Sequence, residues 1–490
     1  MKQQLILIIL AIFIHCAGFS QNSGTWTAEK QQAVASIEQM QEDLIDLSDS
    51  IWAFAETAFL EDKSADALVA FAEKQGFRVE KGLAGMPTAF TAEFGSGKPI
   101  IGILGEFDAL PGLSQNVSTE KSPRIEGAPG HGCGHNLFGV ASLAAATSIK
   151  KLIEEGKLKG TVRFYGTPAE EKFFGKLFLA REGYFNDLDV CLDWHPSDET
   201  KANVQSSKAM IDFTVEFFGQ AAHASGDPWN GRSAVDGLEL YTTGLNYMRE
   251  HVKPTVRIHY QIQDGGAVVN VVPDYARVWV RIRDSKRQGV MDTYAWAEKI
   301  AQGGALMADV DYKINLVSGL HEVLPNRTGG AVMQSNLELL GPIQYTAEEI
   351  EFAKGIQRTT GKPEVGLDAQ IRPMEETLKD PQGGSTDVGD VSWLVPEIRL
   401  SVTTAPKDTP WHSWAVVACG GMSIGHKGMM YAAKALAMTM VDLYTNPELV
   451  QEIKKEFVER KGDYEYKAIL PEGPPPIEMA KQEAAARGGH

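Results

Sequence analysis

The sequence is poor in cysteine and in positive charge. Among 490 residues there are 4 cysteines, 47 lysines and arginines, and 64 aspartates and glutamates, so the formal net charge is −17. So few cysteines exclude a disulfide scaffold, and a chain of this length can bury a large core without one. Because phosphate binding depends on clustered positive charge, the acidic balance argues against nucleic acid as a partner and against binding to an anionic membrane surface. These absences favour a large, acidic enzyme.

Long apolar runs are also scarce, and the clearest one lies at the N-terminus. It covers residues 5–14 and is followed by small residues that end at Ser20. The run is too short to span a bilayer and is typical of a secretory signal, which predicts a signal peptide over residues 1–20. The mature chain is expected to be exported, either periplasmic or secreted, and to lack a transmembrane segment. An uncleaved anchor and a lipoprotein modified at Cys16 are the alternatives.

The hydrophobic pattern predicts an α/β domain that a second module interrupts. Strand-like runs alternate with helical segments on both sides of the middle of the chain, as in an α/β sheet with helices on both faces. The middle instead shows the order β-α-β-β-α-β of a ferredoxin-like α+β module. The predicted division is a split domain over residues 21–205 and 321–450, an inserted module over residues 206–320 and a C-terminal arm over residues 451–490.

Individual helices are predicted near the chemically interesting residues. Residues 28–47 and 419–443 each show helical spacing and are predicted to form one helix. Asn136 is the expected N-cap of a helix over residues 137–155, which Gly156 would end.

Residue types that carry chemistry follow several predicted strands. The motifs are GEFDALP from residue 105, GHGCGHN from residue 130, TPAEE from residue 167, DWHP from residue 193 and PWHS from residue 410. Each motif alone has an ordinary structural explanation, such as a loop-capping acid or a hydrogen-bonded histidine. Because the carboxyl ends of successive strands in an open α/β sheet meet at one crevice, the motifs together predict a single site.

GHGCGHN holds three potential metal ligands, His131, Cys133 and His135. Cys133 and His135 are two residues apart, so in extended backbone their side chains point to the same side. A thiolate and an imidazole suit zinc, and suit manganese less well. A competing hypothesis makes Cys133 a nucleophile at a helix N-terminus, and the protein would then be a cysteine hydrolase.

The remaining candidates are two adjacent acids and two histidines. A site that holds both Glu170 and Glu171 commonly uses one to bind a metal and the other to take a proton from water, although a solvated helix N-terminus is the alternative. His195 and His412 are further candidate ligands. His426 is a weaker rival to His412, because it lies in or near a predicted helix.

With these motifs the sequence resembles the co-catalytic metallopeptidases and amidohydrolases that include aminoacylases, carboxypeptidase G and the plant auxin-conjugate hydrolases. GEFDALPG, GHGCGHNLFGVAS, TPAEE, DWHP, GGAVVNVVPD, GGSTDVGDVSW and PWHSW occur in that family's order across residues 30–465. The resemblance implies a zinc-exopeptidase-like catalytic domain with a mixed central sheet, and an inserted module through which subunits dimerise. Asn136 stands where many relatives have aspartate, which favours the branch that acts on p-aminobenzoyl-glutamate.

The resemblance also implies two divalent metal ions, zinc or manganese, and five ligands for them. A thiolate can bridge two ions and a neutral imidazole normally cannot, so the bridge is assigned to the cysteine. The implied ligands are Cys133, His135, Glu171, His195 and His412.

Four more residues take roles from the same resemblance. Glu170 would act as general base and general acid, and Asp108 would orient a ligand. His223, on the inserted module, would stabilise the oxyanion in the site of a partner subunit, and Asn270 would approach the substrate carboxylate.

The predicted function is hydrolysis of the amide bond of an N-acyl or N-aroyl amino acid by metal-activated water. Because one histidine acts in trans, at least a homodimer is expected. A metallo-dipeptidase or aminopeptidase would use the same site on small peptides. A non-catalytic partner subunit of a hetero-oligomeric hydrolase would bind metal and show no activity alone.

Overall fold

The computed structural model describes residues 24–381 and 383–486, so the predicted signal peptide lies outside the described residues. Within them the strands are β1 (Arg78–Lys81), β2 (Phe90–Ser96), β3 (Ile100–Gly105), β4 (Gly160–Gly166), β5 (Val190–Ser197), β6 (Lys201–Asn203), β7 (Ala209–Phe218), β8 (Arg257–Asp264), β9 (Tyr275–Asp284), β10 (Asp311–Leu320) and β11 (Glu397–Thr403). The α-helices are α1 (Ala28–Gln39), α2 (Gln41–Phe54), α3 (Asp62–Lys74), α4 (His135–Glu154), α5 (Gly175–Arg181), α6 (Ala234–Met248), α7 (Arg287–Ala308), α8 (Arg327–Leu340), α9 (Ala347–Thr359), α10 (Val388–Ser392), α11 (Trp414–Gly420), α12 (Ser423–Thr445), α13 (Pro447–Lys461) and α14 (Ile477–Ala486).

The larger sheet is mixed and has the strand order β1-β2-β4-β3-β5-β11-β6. The central strands β4, β3, β5 and β11 are parallel, and β1, β2 and β6 pair antiparallel towards the edges. Side chains alternate between the two faces: Ile103 packs into a core with α4 and α12, whereas Leu104 packs into a second core with α5 and α10. The prediction of an α/β sheet with helices on both faces is confirmed.

The smaller sheet is antiparallel and has the strand order β10-β7-β9-β8. Its elements follow one another as β7-α6-β8-β9-α7-β10, which is the predicted ferredoxin-like order. Along β9, buried residues alternate with half-buried ones, because one face of the sheet packs against α6 and α7. The other face is left partly open.

Two predicted helices are each broken in two, so those predictions are wrong. The segment 28–47 contains α1 and α2, which are separated at Met40 with ψ near 5°. The segment 419–443 contains the end of α11 and most of α12. A Cβ on Gly421 would lie 2.6 Å from the ring of Trp52, so the chain leaves the helix where the indole packs against its backbone.

The prediction that Asn136 caps a helix is also wrong. The cap residue of α4 is Gly134, whose φ of 79° favours glycine, and His135 is already helical. Asn136 is fully buried, and its Nδ2 donates to Ser48 Oγ at 3.1 Å and to the carbonyl of Gly420 at 3.0 Å. The side chain therefore ties α4 to two other helices.

The C-terminal segment packs against both parts of the protein. Beyond α13, the amide of Gly319 in β10 donates to the carbonyl of Ile469 at 2.7 Å, and Tyr466 and Leu470 pack beside the core of the larger sheet. The predicted arm thus includes α14 and tertiary contacts along its length. In the described part of the chain, no helix is long and apolar enough to cross a membrane.

Candidate metal centre

The candidate site lies at the carboxyl ends of three neighbouring parallel strands. Asp108 follows β3, Glu170 and Glu171 follow β4, and His195 lies near the end of β5. His135 begins α4, which crosses from β3 to β4. This is the place at which an open α/β sheet gathers functional side chains.

The structure brings the five implied ligands together in two groups that share one residue. The ligand atoms of Cys133, His135 and His195 lie within 4.8 Å of one another, and so do those of Cys133, Glu171 and His412. Between individual atoms, Cys133 Sγ is 3.4 Å from His195 Nε2, and Glu171 Oε2 is 3.4 Å from His412 Nε2. The sulfur therefore lies where a bridging ligand would have to lie.

Hydrogen bonds set the orientation and tautomer of two of these histidines. His135 Nδ1 is 2.8 Å from Asp108 Oδ1, and His195 Nδ1 is 2.7 Å from the carbonyl of Pro196. In each ring Nδ1 therefore carries the proton, and Nε2 is left with the lone pair that a metal needs.

Asp108 also fixes a second ligand. Its Oδ2 accepts a hydrogen bond from the amide of Glu171 at 2.9 Å, so one carboxylate orients both His135 and Glu171. Burial opposes its ionisation, but the hydrogen bond and charge of His135 outweigh burial and lower the pKa of Asp108. The orienting role predicted for Asp108 is consistent with this geometry.

Replacing Asp108 with alanine is expected to weaken metal binding by about 10- to 100-fold, because the partners of metal ligands contribute that much affinity. Titration calorimetry with Zn²⁺ measures the change. Asp49→Ala is a matched control, because Asp49 makes a similar 2.8 Å contact with His426 outside the site. Equal affinities in the two variants would show that Asp108 does not orient the ligands.

The donor atoms fit divalent ions on a further observation. Buried polar atoms normally have hydrogen-bond partners, yet Glu106 Oε2, His135 Nε2 and Glu171 Oε1 are buried and have none. These atoms lie among sulfur, imidazole and carboxylate donors, which is a ligand set that suits zinc.

Burial and crowded charge shift the titration of the site. Burial and the nearby carboxylates of Asp108 and Glu106 raise the pKa of Glu171 to about 7. Burial, with Glu106 and Glu171, raises the pKa of Glu170 well above its usual value. Burial and Glu171 likewise raise the pKa of the Cys133 thiol. Bound cations reverse such shifts, so metal binding would release protons here.

His195 shows the opposite shift. Burial and the neighbouring charge of His135 lower its pKa to about 4. The imidazole is therefore neutral throughout the physiological range, which is the form that binds a metal.

Sequence reasoning missed a buried ion network behind the site. Lys176 Nζ donates to Glu106 Oε1 at 2.6 Å and to Asp387 Oδ1 at 2.7 Å, and all three side chains are buried. Glu106 Oε2 in turn lies 3.0 Å from His135 Nε2, and Glu106, His135 and Glu170 form a third group of close donor atoms. Glu106 stands in the GEFDALP motif, but nothing in the sequence pairs it with a lysine inside an apolar helix.

Two other histidines have different partners. His131 Nε2 lies 3.0 Å from the carbonyl of Ile51, and His131 is in none of the ligand groups found among the described residues. His426 contacts Asp49 instead of the site, which leaves His412 as the ligand candidate of the two. The amide of His412 donates to the carbonyl of Gly132 at 3.0 Å, and its φ of 56° is uncommon for a residue other than glycine.

His223 and Asn270 lie side by side on the inserted module. The amide of Ala224 donates to the carbonyl of Asn270 at 3.0 Å, and both predicted residues are exposed. His223 Nδ1 accepts from the amide of Gly226 at 3.1 Å, so Nε2 carries the proton in the neutral ring. Within the described residues, no hydrogen bond or ion pair joins either residue to the five ligands of its own chain.

Comparison with known proteins assigns the chain to a family. Residues 205–302 match the peptidase dimerisation domain. A subunit of p-aminobenzoyl-glutamate hydrolase from Escherichia coli is 38% identical over 475 residues, which are 90% of this chain and 97% of the relative. Human Xaa-Arg dipeptidase is 30% identical, with 87% of this chain and 92% of the relative covered.

Solved structures show the same fold. A dinuclear metal-binding peptidase of the M20 family from Bacillus subtilis has a TM-score of 0.57 at 17% identity and covers 83% of this chain and 99% of its own. An aminobenzoyl-glutamate utilization protein from Klebsiella pneumoniae has a TM-score of 0.54 at 17% identity, with 83% and 98% covered.

The chain belongs to the M20 family of metallopeptidases and is a metal-dependent hydrolase of carbon–nitrogen bonds. Within that family it is similar, over nearly its whole described length, to the Escherichia coli subunit of p-aminobenzoyl-glutamate hydrolase. The predicted family and enzyme class are confirmed.

Proposed function

We propose that this protein hydrolyses the amide bond of p-aminobenzoyl-glutamate or of a similar N-aroyl or N-acyl amino acid. The observation that carries the proposal is the pair of ligand groups that share Cys133, with Glu170 beside them. Similarity to the hydrolase subunit over 97% of its length supports the substrate class.

Two divalent ions, zinc in preference to manganese, would supply charge stabilisation and activate a water molecule when bound by the five ligands. Glu170 takes the proton of the attacking water, which its nearness to the ligand groups allows. The same carboxyl group then gives that proton to the leaving amine nitrogen. His223 of one subunit donates from Nε2 to the developing oxyanion in the site of a second subunit.

A positively charged cavity supports an anionic substrate. Its volume is about 260 Å³, and it lies where the inserted module meets the segment that leads to Asp387. Arg283 Nε is buried there without a hydrogen-bond partner. The residues that line the cavity are Lys208, Pro254, Thr255, Arg257, His259, Arg283, Asp380 and Gly383. Because cations outnumber the single acid, the cavity suits a carboxylate and disfavours the arginine side chain of an Xaa-Arg dipeptide.

Arg283→Ala is expected to raise KM for p-aminobenzoyl-glutamate by about 10-fold or more, because a hydrogen bond to a charged group contributes about 1.5–3 kcal/mol. Steady-state kinetics measures the change. Lys313→Ala removes an exposed cation from the same module and is expected to leave KM unchanged. An equal KM in both variants would contradict the assignment of the cavity.

A substrate panel tests the function itself. Purified protein loaded with Zn²⁺ is expected to hydrolyse p-aminobenzoyl-glutamate and other acylated amino acids. Dipeptides that differ only in their free amine are expected to be poor substrates. Preference for the dipeptides would instead favour a dipeptidase, the activity named for the human relative.

We further propose a dimer joined through the inserted module, and export of the mature chain. The match to a dimerisation domain supports the first proposal, and the apolar run over residues 5–14 supports the second. Light scattering gives the oligomeric state, and N-terminal sequencing of protein from the producing cells shows whether residues 1–20 are removed. A monomer, or an intact N-terminus in the cytoplasm, would contradict these proposals.

A further inference from the structure

The segment that carries Glu170 is held on both sides by carboxyl groups. The amide of Ala169 donates to Glu61 Oε1 at 2.9 Å, and the amide of Glu171 donates to Asp108 Oδ2 at 2.9 Å. Glu170 is the residue between these two anchored amides. Asp108 is already part of the metal centre, but Glu61 belongs to none of the ligand groups found among the described residues.

Glu61 is itself rigidly placed. It precedes α3, its side chain is fully buried, and its Oε2 accepts from Thr88 Oγ1 at 3.1 Å. Burial and the charge of Asp108 raise the pKa of Glu61 well above its usual value, so the carboxyl group is neutral at neutral pH. A neutral carboxyl offers one fixed acceptor to Ala169 and exchanges one hydrogen bond with Thr88.

The backbone that Glu61 contacts is strained. Ala169 is fully buried and has a φ of 63°, in the left-handed region that costs a residue with a Cβ about 1–2 kcal/mol. The carbonyl of Ala169 accepts from the amide of Phe174 at 2.7 Å, and Phe174 also has a positive φ of 60°. Such a conformation persists only where surrounding contacts hold it, and it recurs at functional sites.

We propose that Glu61 is a positioning residue for Glu170: by fixing the amide of Ala169, it holds the strained turn that aims the Glu170 carboxyl at the reacting atoms. This inference rests on the proposed function, in which Glu170 moves the proton. Glu61 touches neither the ligands nor the substrate, so its effect passes through the backbone.

Glu61→Met and Glu61→Gln test the proposal, because the two side chains have similar size and differ in hydrogen bonding. Methionine removes the acceptor, and kcat is expected to fall by about 100-fold, the cost of a misplacement on the order of 1 Å. KM and the metal content are expected to stay near wild-type values. Glutamine can accept from Ala169 and donate to Thr88, so kcat is expected to stay within about threefold of wild type.

A second background separates positioning from general damage. If Glu61 acts only through Glu170, Glu61→Met lowers the residual rate of a Glu170→Gln variant no further. A further fall, or a loss of metal, would overturn the proposal and make Glu61 merely structural. Should Glu61→Met not fold, Glu61→Asp serves the same test, because its shorter side chain withdraws the acceptor.

The outcomes also distinguish the two proposals. Wild-type activity in Glu170→Gln would overturn the proposed function whatever Glu61 does. Loss of activity in Glu170→Gln together with full activity in Glu61→Met would overturn only the positioning role.

Discussion

Replacing Glu170 with alanine is expected to abolish turnover and to leave the metal content unchanged. The carboxyl group handles the proton twice, first from water and then to the leaving amine, and general acid–base catalysis by one group contributes about 10²–10⁴-fold. Glu170 lies outside the two ligand groups that share Cys133, so its loss removes no donor from them. A fall in kcat of about 10³-fold or more is the expected result, with metal measured by mass spectrometry on the same sample. Substantial activity in this variant would contradict the role of Glu170.

Mixing experiments extend this result to the partner subunit. His223→Ala alone is expected to lose most activity, because the exposed histidine serves the site of the other subunit. When Glu170→Ala and His223→Ala subunits exchange freely, half of the dimers are mixed, and one site in each mixed dimer is intact. About a quarter of wild-type activity should return. No recovery after proven subunit exchange would show that His223 does not act in trans.

Replacing Cys133 with alanine is expected to have the other large effect, the loss of both metal ions. Its sulfur belongs to both ligand groups, so each group loses a donor at once. The expected metal content falls from about two equivalents to below one, and turnover falls below detection. Cys419→Ala is the matched control, because Cys419 is also a buried free cysteine but lies outside the ligand groups of the described chain.

The same variant tests the cysteine-hydrolase alternative. A nucleophilic Cys133 would leave the protein active after chelation and inactive after alkylation of the thiol. Burial and Glu171 raise the pKa of that thiol, which is the opposite of what an activated nucleophile needs. A Cys133→Ala variant that retained two metal ions but lost activity would contradict the role of Cys133 as a bridging ligand.

The sequence could predict the ligands because each one follows a strand or begins a helix in a recognisable motif. Parallel strands end at one edge of the sheet, so His195 and Glu171 are brought near Cys133 by topology alone. Family resemblance supplied His412, whose unusual backbone conformation has no sequence signal. The division of the chain at residues 205 and 320 stays a prediction.

Other parts of the site could not be predicted, because they depend on packing between distant segments. Glu61 precedes an ordinary amphipathic helix, and only the fold brings it to Ala169. Lys176 lies among the apolar residues of α5, where its burial between Glu106 and Asp387 is invisible in the sequence. Local pattern likewise misplaced the start of α4, because Asn136 resembles a cap but is used to join helices.

Metal dependence of amide hydrolysis tests the central claim most directly. The protein is stripped with a chelator and titrated with Zn²⁺, or with Mn²⁺ in parallel, while release of p-aminobenzoate from p-aminobenzoyl-glutamate is followed. Activity is expected to be absent in the stripped protein, to rise with added metal and to reach its plateau near two equivalents per chain. Full hydrolytic activity in protein that holds less than half an equivalent of metal would contradict a metal-dependent mechanism.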